Sequence, residues 1–144
     1  MDIPIKLTSD HLIYQPSAHD SHIEMLMFRK HEVRLGMRPE RGERYELRLE
    51  GVSYLRGDDL REGNIVDGIE LTVGRPADET VTRSLIEGPH PSAAQTYHDA
   101  HEAFVAKTLA AIASGDRTLV RIDAAYGLGL LALCDKVTAW KLES

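Results

Sequence analysis

The first half of the chain alternates. Val33, Leu35 and Met37 fall on one side of a period-two pattern and Glu32 and Arg34 on the other, the signature of a strand buried on one face only. Residues 44–49 repeat the scheme, with Tyr45, Leu47 and Leu49 set against Arg44, Glu46 and Arg48. Between the two runs, Pro39 presets φ for a turn and Gly42 can take a left-handed conformation, so 31–49 is predicted to be a β-hairpin. Further strands are predicted in the 3–14 region, over 21–28, where Ile23, Met25 and Met27 would share one core-facing side, and over 52–56 and 65–73. In the last of these Ile69, Leu71 and Val73 alternate with Glu70 and Thr72, and glycines at 51, 57, 63, 68 and 74 fit turns or bulges.

The period changes after residues 75–91, a stretch with Pro76, Pro89 and Pro91 that reads as a connecting loop holding at most a short strand near 80–85. Ser92 followed by Gln95 is a capping-box pattern and Gly115 sits where a helix would end, which predicts a helix over 92–114. At 100° per residue Ala94, Tyr97, His101, Phe104, Val105, Thr108, Leu109 and Ile112 form one stripe. Residues 118–122 read as a strand. Beyond them the pattern supports either strands over 128–134 and 137–142 or a helix capped by Asp123 and running to Trp140. Gly127 and Gly129 would each cost a helix interior about 1 kcal/mol, which favours strands. The expected architecture is α+β: one domain over 1–144, with a mostly antiparallel, curved sheet packed against one long amphipathic helix.

Composition narrows the function classes. Apolar residues at 42% and charged residues at 28% suit a globular chain. Cys134 is the only cysteine, so no intramolecular disulfide is expected, and the opening MDIPIKLTSD shows no secretory pattern. A cytoplasmic protein is expected. No apolar run reaches the roughly 20 residues a membrane helix needs, so no membrane partner is expected either. Seventeen basic against twenty-three acidic residues leave a net charge of −6, which argues against nucleic acid, whose affinity comes from neutralising phosphates. Eight of the arginines lie between Arg29 and Arg61, but seven carboxylates share that span.

Two groups of residues could carry chemistry. His98 and His101, three apart on the predicted helix, could present two imidazoles to one metal with carboxylates completing the shell, although both fall within the apolar stripe and packing would equally explain them. The acidic run 58–70 contains Asp58, Asp59, Glu62, Asp67 and Glu70 against Arg61 alone. It lacks the register of a calcium loop and reads either as an exposed turn or as a patch that steers a basic partner. Cys134 sits in an apolar run and reads as a core residue. No nucleophile elbow and no phosphate-binding glycine loop occurs, and no cofactor is expected.

Three blocks carry a resemblance: His19-Asp20-Ser21-His22-Ile23; Gly51-Val52 through Leu55-Arg56 to the run from Asp58 to Val66; and Tyr126-Gly127 followed by Ala132-Leu133-Cys134. Together they resemble small bacterial α+β proteins of unassigned function, some of them similar to immunity proteins encoded beside polymorphic toxins. That resemblance implies a non-catalytic inhibitor that covers a toxin or enzyme with its acidic surface. The tail alone, His101–Phe104 and 115–133, is similar to the end of oxidoreductases of the glucose–fructose type, without the nucleotide-binding half. The sequence therefore favours a protein-binding module contacting its partner through Asp58, Asp59, Glu62, Asp67 and Glu70. A small metal-dependent enzyme using His98 and His101 is the alternative, and a homodimer paired through edge strands is the second.

Overall fold

The predicted hairpin lies at the middle of one half of a nine-stranded sheet in the computed structural model, which describes residues 2–142. In chain order the elements are β1 (Asp2–Ile3), β2 (Lys6–Leu7), β3 (Ile13–Gln15), β4 (His22–Arg29), β5 (Glu32–Arg38), β6 (Tyr45–Glu50), β7 (Tyr54–Asp58), β8 (Ile65–Thr72), α1 (Glu79–Leu85), α2 (Gln95–Ser114), β9 (Thr118–Tyr126), β10 (Gly129–Cys134) and β11 (Lys136–Lys141). The sheet order is β1-β11-β6-β5-β4-β8-β9-β10-β7, every pair antiparallel, while β2 and β3 form a separate small hairpin. The fold is thus α+β with a large antiparallel sheet, and the described residues form two helices where the sequence predicted one. No helix among the described residues is long and apolar enough to cross a membrane.

The sheet divides in two. β4 and β8 meet only at His22 opposite Ile65, whereas the strands within each half pair along their lengths. The halves are joined again where β6 bends through 51–53 into β7 and β10 bends at Asp135 into β11. At these adjacent kinks Asp135 N donates to Glu50 O at 2.8 Å and Ser53 N to Leu133 O at 3.0 Å. Gly51 has φ 68°, and a Cβ there would stand 2.0 Å from Asp135 Oδ2, so only glycine fits between the two bends.

One apolar cluster fills the space between the halves: Val33, Leu35 and Met37 of β5, Leu47 and Leu49 of β6, Val66, Ile69 and Leu71 of β8, Val120 and Ile122 of β9, and Leu130, Ala132 and Cys134 of β10. Neither helix contributes to this cluster, yet Leu35, Leu49, Val66 and Ile69 are fully buried. The two halves therefore cover one another's apolar faces. Each Val, Leu, Ile or Met side chain among these stabilises the fold by about 1.5–3 kcal/mol on leaving water, before entropy is counted. The helices cover the outer face of β9 and β10 instead, where Leu85 and Ile112 meet Leu119 and Leu133.

Several local expectations are corrected. In β4, Ile23 pairs with Met37 but Met25 pairs with Gly36, so Glu24 is a bulge residue and the strand changes face there. Ile23 joins the core, and Met25 and Met27 turn to the outer face, Met25 40% exposed. Residues 79–85 are helix rather than loop or strand. Asp78 Oδ1 accepts from Val81 N at 3.0 Å to cap α1, and Arg83 ties Glu79 (3.0 Å) to Glu102 of α2 (2.7 Å). α2 begins at Gln95 with Ala94 as an unbonded cap, because Ser92 instead bonds His90 Nδ1 at 2.7 Å. Its buried positions are Val105, Thr108 and Ile112, while Tyr97 and Phe104 of the predicted stripe are 66% and 42% exposed. In the 124–142 region the strand reading holds, with β9 extending to Tyr126 before the turn at Gly127.

Candidate functional site

The blocks that stood apart in the sequence meet at the junction of the two halves. Asp20 N donates to Val66 O at 2.8 Å, Val66 N to Ser21 O at 2.9 Å, and Ile23 N to Asn64 O at 2.9 Å. These bonds fasten 19–23 to the end of the β7–β8 loop. Buried Asn64 then staples the loop internally and to the β9–β10 turn. Its Oδ1 accepts from Arg61 N at 3.0 Å and from Leu128 N at 2.9 Å, and its Nδ2 donates to Arg61 O at 2.6 Å. Gly127, at φ 83°, is required here: a Cβ would lie 2.3 Å from Asn64 Oδ1 and 2.9 Å from Gly63 O.

This frame displays apolar side chains. Leu60 is 63% exposed and Tyr126 51% exposed, and the Arg61 guanidinium lies 5.6 Å over the Tyr126 ring. Beside them a cleft of about 500 Å³ opens over the seam between β4 and the loop, lined by His22, Glu24, Met25, Arg38, Leu60 and Glu62 among others. Glu24, freed from strand pairing by the bulge, accepts from Arg38 Nε at 2.5 Å and lies 3.1 Å from Arg44 Nε. Such a surface, with apolar anchors ringed by charge, has the anatomy of a recognition patch.

The acidic residues singled out from the sequence are divided by the fold. Asp58 ends β7 with Arg56 Nε at 3.3 Å, Asp59 receives Arg61 at 3.0 Å, and Glu62 follows, exposed, on the same loop. Asp67 sits at a bulge of β8, its carbonyl 2.7 Å from His19 Nδ1 and its carboxylate 3.8 Å from the same nitrogen. The bond to that carbonyl, and then the nearby Asp20 carboxylate, raise the pKa of exposed His19 above the usual imidazole value. Glu70 lies farther along β8, half-buried opposite Arg121 on the face that bears the helices. Four of the five carboxylates thus surround the loop and its neighbouring strand ends, and Glu70 stands away from them.

His98 and His101 lie half-buried on α2, with the His101 ring against Gly88, where a Cβ would be 3.2 Å from its Nε2. The carboxylates required by a metal reading are not gathered around them: among the described residues no group of three or more His, Cys, Asp or Glu side chains is placed to hold an ion. Cys134 is buried, and burial pushes its thiol up to about 12. Sequence reasoning did not single out Leu60, Tyr126 or Asn64 as site residues, and it weighed Met25 as a binding residue only to place it in the core. The available signal was Leu60 itself, one large apolar side chain isolated within a run of carboxylates. Comparison of the chain with protein-family models, with curated proteins and with solved structures yields no match in any of the three.

Proposed function

We propose that this chain is a non-catalytic protein-binding module that docks a basic protein through Leu60, Tyr126 and Met25, with Asp58, Asp59, Glu62 and Asp67 forming a carboxylate rim. In the finer form of this reading it acts in the cytoplasm as an immunity-type inhibitor, covering a toxin or enzyme. The observation that carries the proposal is a large, exposed leucine on a loop pinned by three hydrogen bonds of Asn64. Ordering a loop before docking removes an entropic cost that binding would otherwise meet, and an apolar centre within a polar rim is the general anatomy of a protein interface. The rim carboxylates would steer a cationic partner and raise its association rate.

Calorimetric titration against the products of the genes flanking its own tests this reading. A partner is expected to bind with Kd of about 1 µM or tighter, and Leu60→Asp to weaken it at least about thirtyfold, the size of a hot-spot loss. Because Leu60 is exposed, the variant should keep the wild-type melting temperature. Failure of every flanking product to bind more tightly than about 50 µM would overturn the proposal.

A further inference from the structure

The two halves of the sheet finish their edges unequally. β1 is 2 residues long. β7 packs against α1, with Arg56 Nη1 donating to Ser84 O at 3.2 Å. The edge of β8 is taken up by Leu12 opposite Glu70 and by Leu71 N donating to His11 O at 3.0 Å. β4 has no such cover. On the side away from β5 its last bond is Ile23 N to Asn64 O at 2.9 Å; past it the 59–64 loop swings away to open the first cleft, and among the described residues no backbone group pairs there with 24–29. The turn at Lys30-His31 makes Arg29 and Glu32 the closing hydrogen-bonded pair of the hairpin, so alternation along β4 turns the N–H and C=O of Leu26 and Phe28 outward. Along the same stretch Met25, Leu26, Met27 and Phe28 are all apolar, with Phe28 58% exposed. The bulge at Glu24 precedes this run and neither a charge nor a proline interrupts it, so the usual devices against edge pairing are missing.

We infer that this open edge pairs with the same edge of a second copy of the chain, antiparallel about a two-fold axis through Met27. That register lays the open stretch 24–30 wholly against itself. Leu26 then stands opposite Phe28 of the copy, so the outward backbone groups of each meet, and Met27 stands opposite Met27. Sliding the copy one way would set its Arg29 against Ile23, whose N–H is already committed to Asn64; sliding it the other way would leave Glu24 and Met25 bare. Leu26 and Phe28 share the side of Val33 and Leu35, and Leu26 packs against the main cluster, so the paired strands would continue the interior across the axis. On the outer side the stem of Arg29 would lie along Met25 of the copy. Lys30 falls opposite Glu24, which Arg38 and Arg44 already hold, so the fit rests on backbone bonds and apolar contact rather than on charge. A two-fold pairing uses the edge up in both copies and ends there. Met25 alone is shared with the docking surface around Leu60, and the dimer needs no other protein, so the two readings can fail separately.

Sedimentation equilibrium of the full chain tests this inference. A monomer–dimer equilibrium with Kd of about 200 µM or tighter is expected, as suits a small interface. Phe28→Lys replaces an exposed side chain, so it should keep the wild-type melting temperature while weakening the dimer at least about tenfold. Met27→Cys should form an interchain disulfide on mild oxidation, because directly opposed residues stand within reach of one. Met25→Cys, set off the axis, should not, and Cys134 is buried and does not compete. The inference fails if the chain stays monomeric up to about 1 mM. It fails equally if Phe28→Lys leaves the dimer unchanged, if Met25→Cys links as readily as Met27→Cys, or if assembly grows past the dimer.

Discussion

The two halves of the sheet share one interior but finish their outer faces in opposite ways. On β9 and β10 the outward positions include Leu119, Leu131 and Leu133, and helices α1 and α2 lie over them. On β5 and β6 the outward positions are Glu32, Arg34, Glu46 and Arg48, where no helix packs. There the strands cover themselves with ion pairs between residues two apart on the same face, Glu32–Arg34 at 2.7 Å and Glu46–Arg48 at 2.8 Å, with Arg34 also 3.5 Å from Glu46. Arg48 in turn lies 4.3 Å over the Trp140 ring of the neighbouring strand. The polarity of alternate residues along a strand therefore decides whether the chain spends a helix on that face.

The largest test of this contrast is truncation in the two apolar clusters. Leu47, fully buried between the halves, belongs to a cluster of twenty buried residues, and Leu133 to one of four. Leu47→Ala is expected to cost about 4 kcal/mol and Leu133→Ala about 2, since the smaller cluster under the helices can relax into the space. Urea denaturation of both variants checks this, and equal losses would mean that the helix-covered cluster is as rigid as the interior.

A smaller effect separates the shared interior from both outer faces. Tyr45 and Cys134 lie on the inner side, one in each half, and burial pushes each of their pKa values up to about 12, from 10.0 and 9.0. Tyr45 Oη spends its proton on Ser17 O at 2.7 Å. Above pH 9 the unfolded chain loses its thiol proton while the folded chain keeps it, so stability is intact below pH 9 and falls as pH rises. The phenol adds to the loss from pH 10, each group contributing about 1.4 kcal/mol per pH unit until its folded pKa is reached. Urea midpoints measured between pH 8 and 11 should show this decline, with Cys134→Ala delaying its onset by about one pH unit. A wild-type midpoint that stays level across the range would show the interior open to water.

The smallest expected effect is on the open face. Glu46, its side chain 8% exposed, accepts from Arg48 and sits near Arg34. Glu46→Gln should destabilise by about 1 kcal/mol, the part of a charge-assisted bond that a neutral amide does not replace, and high salt should remove only a fraction of it because the pair is mostly buried. A neutral result would assign the cover of this face to Trp140 and the arginine stems rather than to charge.

What could be read ahead of the structure followed from regular alternation. The hairpin over 31–49 was legible because its period is unbroken and because Pro39 and Gly42 sit at the turn, Gly42 adopting φ 105° as expected. Met25 and Met27 were assigned to the wrong face because a single extra residue, Glu24, inverts the side on which all later residues of the strand point. The helix over 79–85 was hidden by Thr80, Val81 and Thr82, β-branched residues that suggest a strand, and its existence rests on the Asp78 cap and on Arg83 reaching Glu102 of α2. The carboxylates of the candidate site were visible in the sequence as a run. Their gathering with Tyr126 was not, because it depends on Asn64 bonding to Leu128, 64 residues away.

Three backbone hydrogen bonds tie 20–23 to 64–66 beside the first cleft, and beyond them β4 and β8 do not pair. Any partner gripping both lips of that cleft would act as a splint, so occupancy and resistance to unfolding should rise together through mass action. Amide exchange along that line would report the guest before any change of shape could be seen.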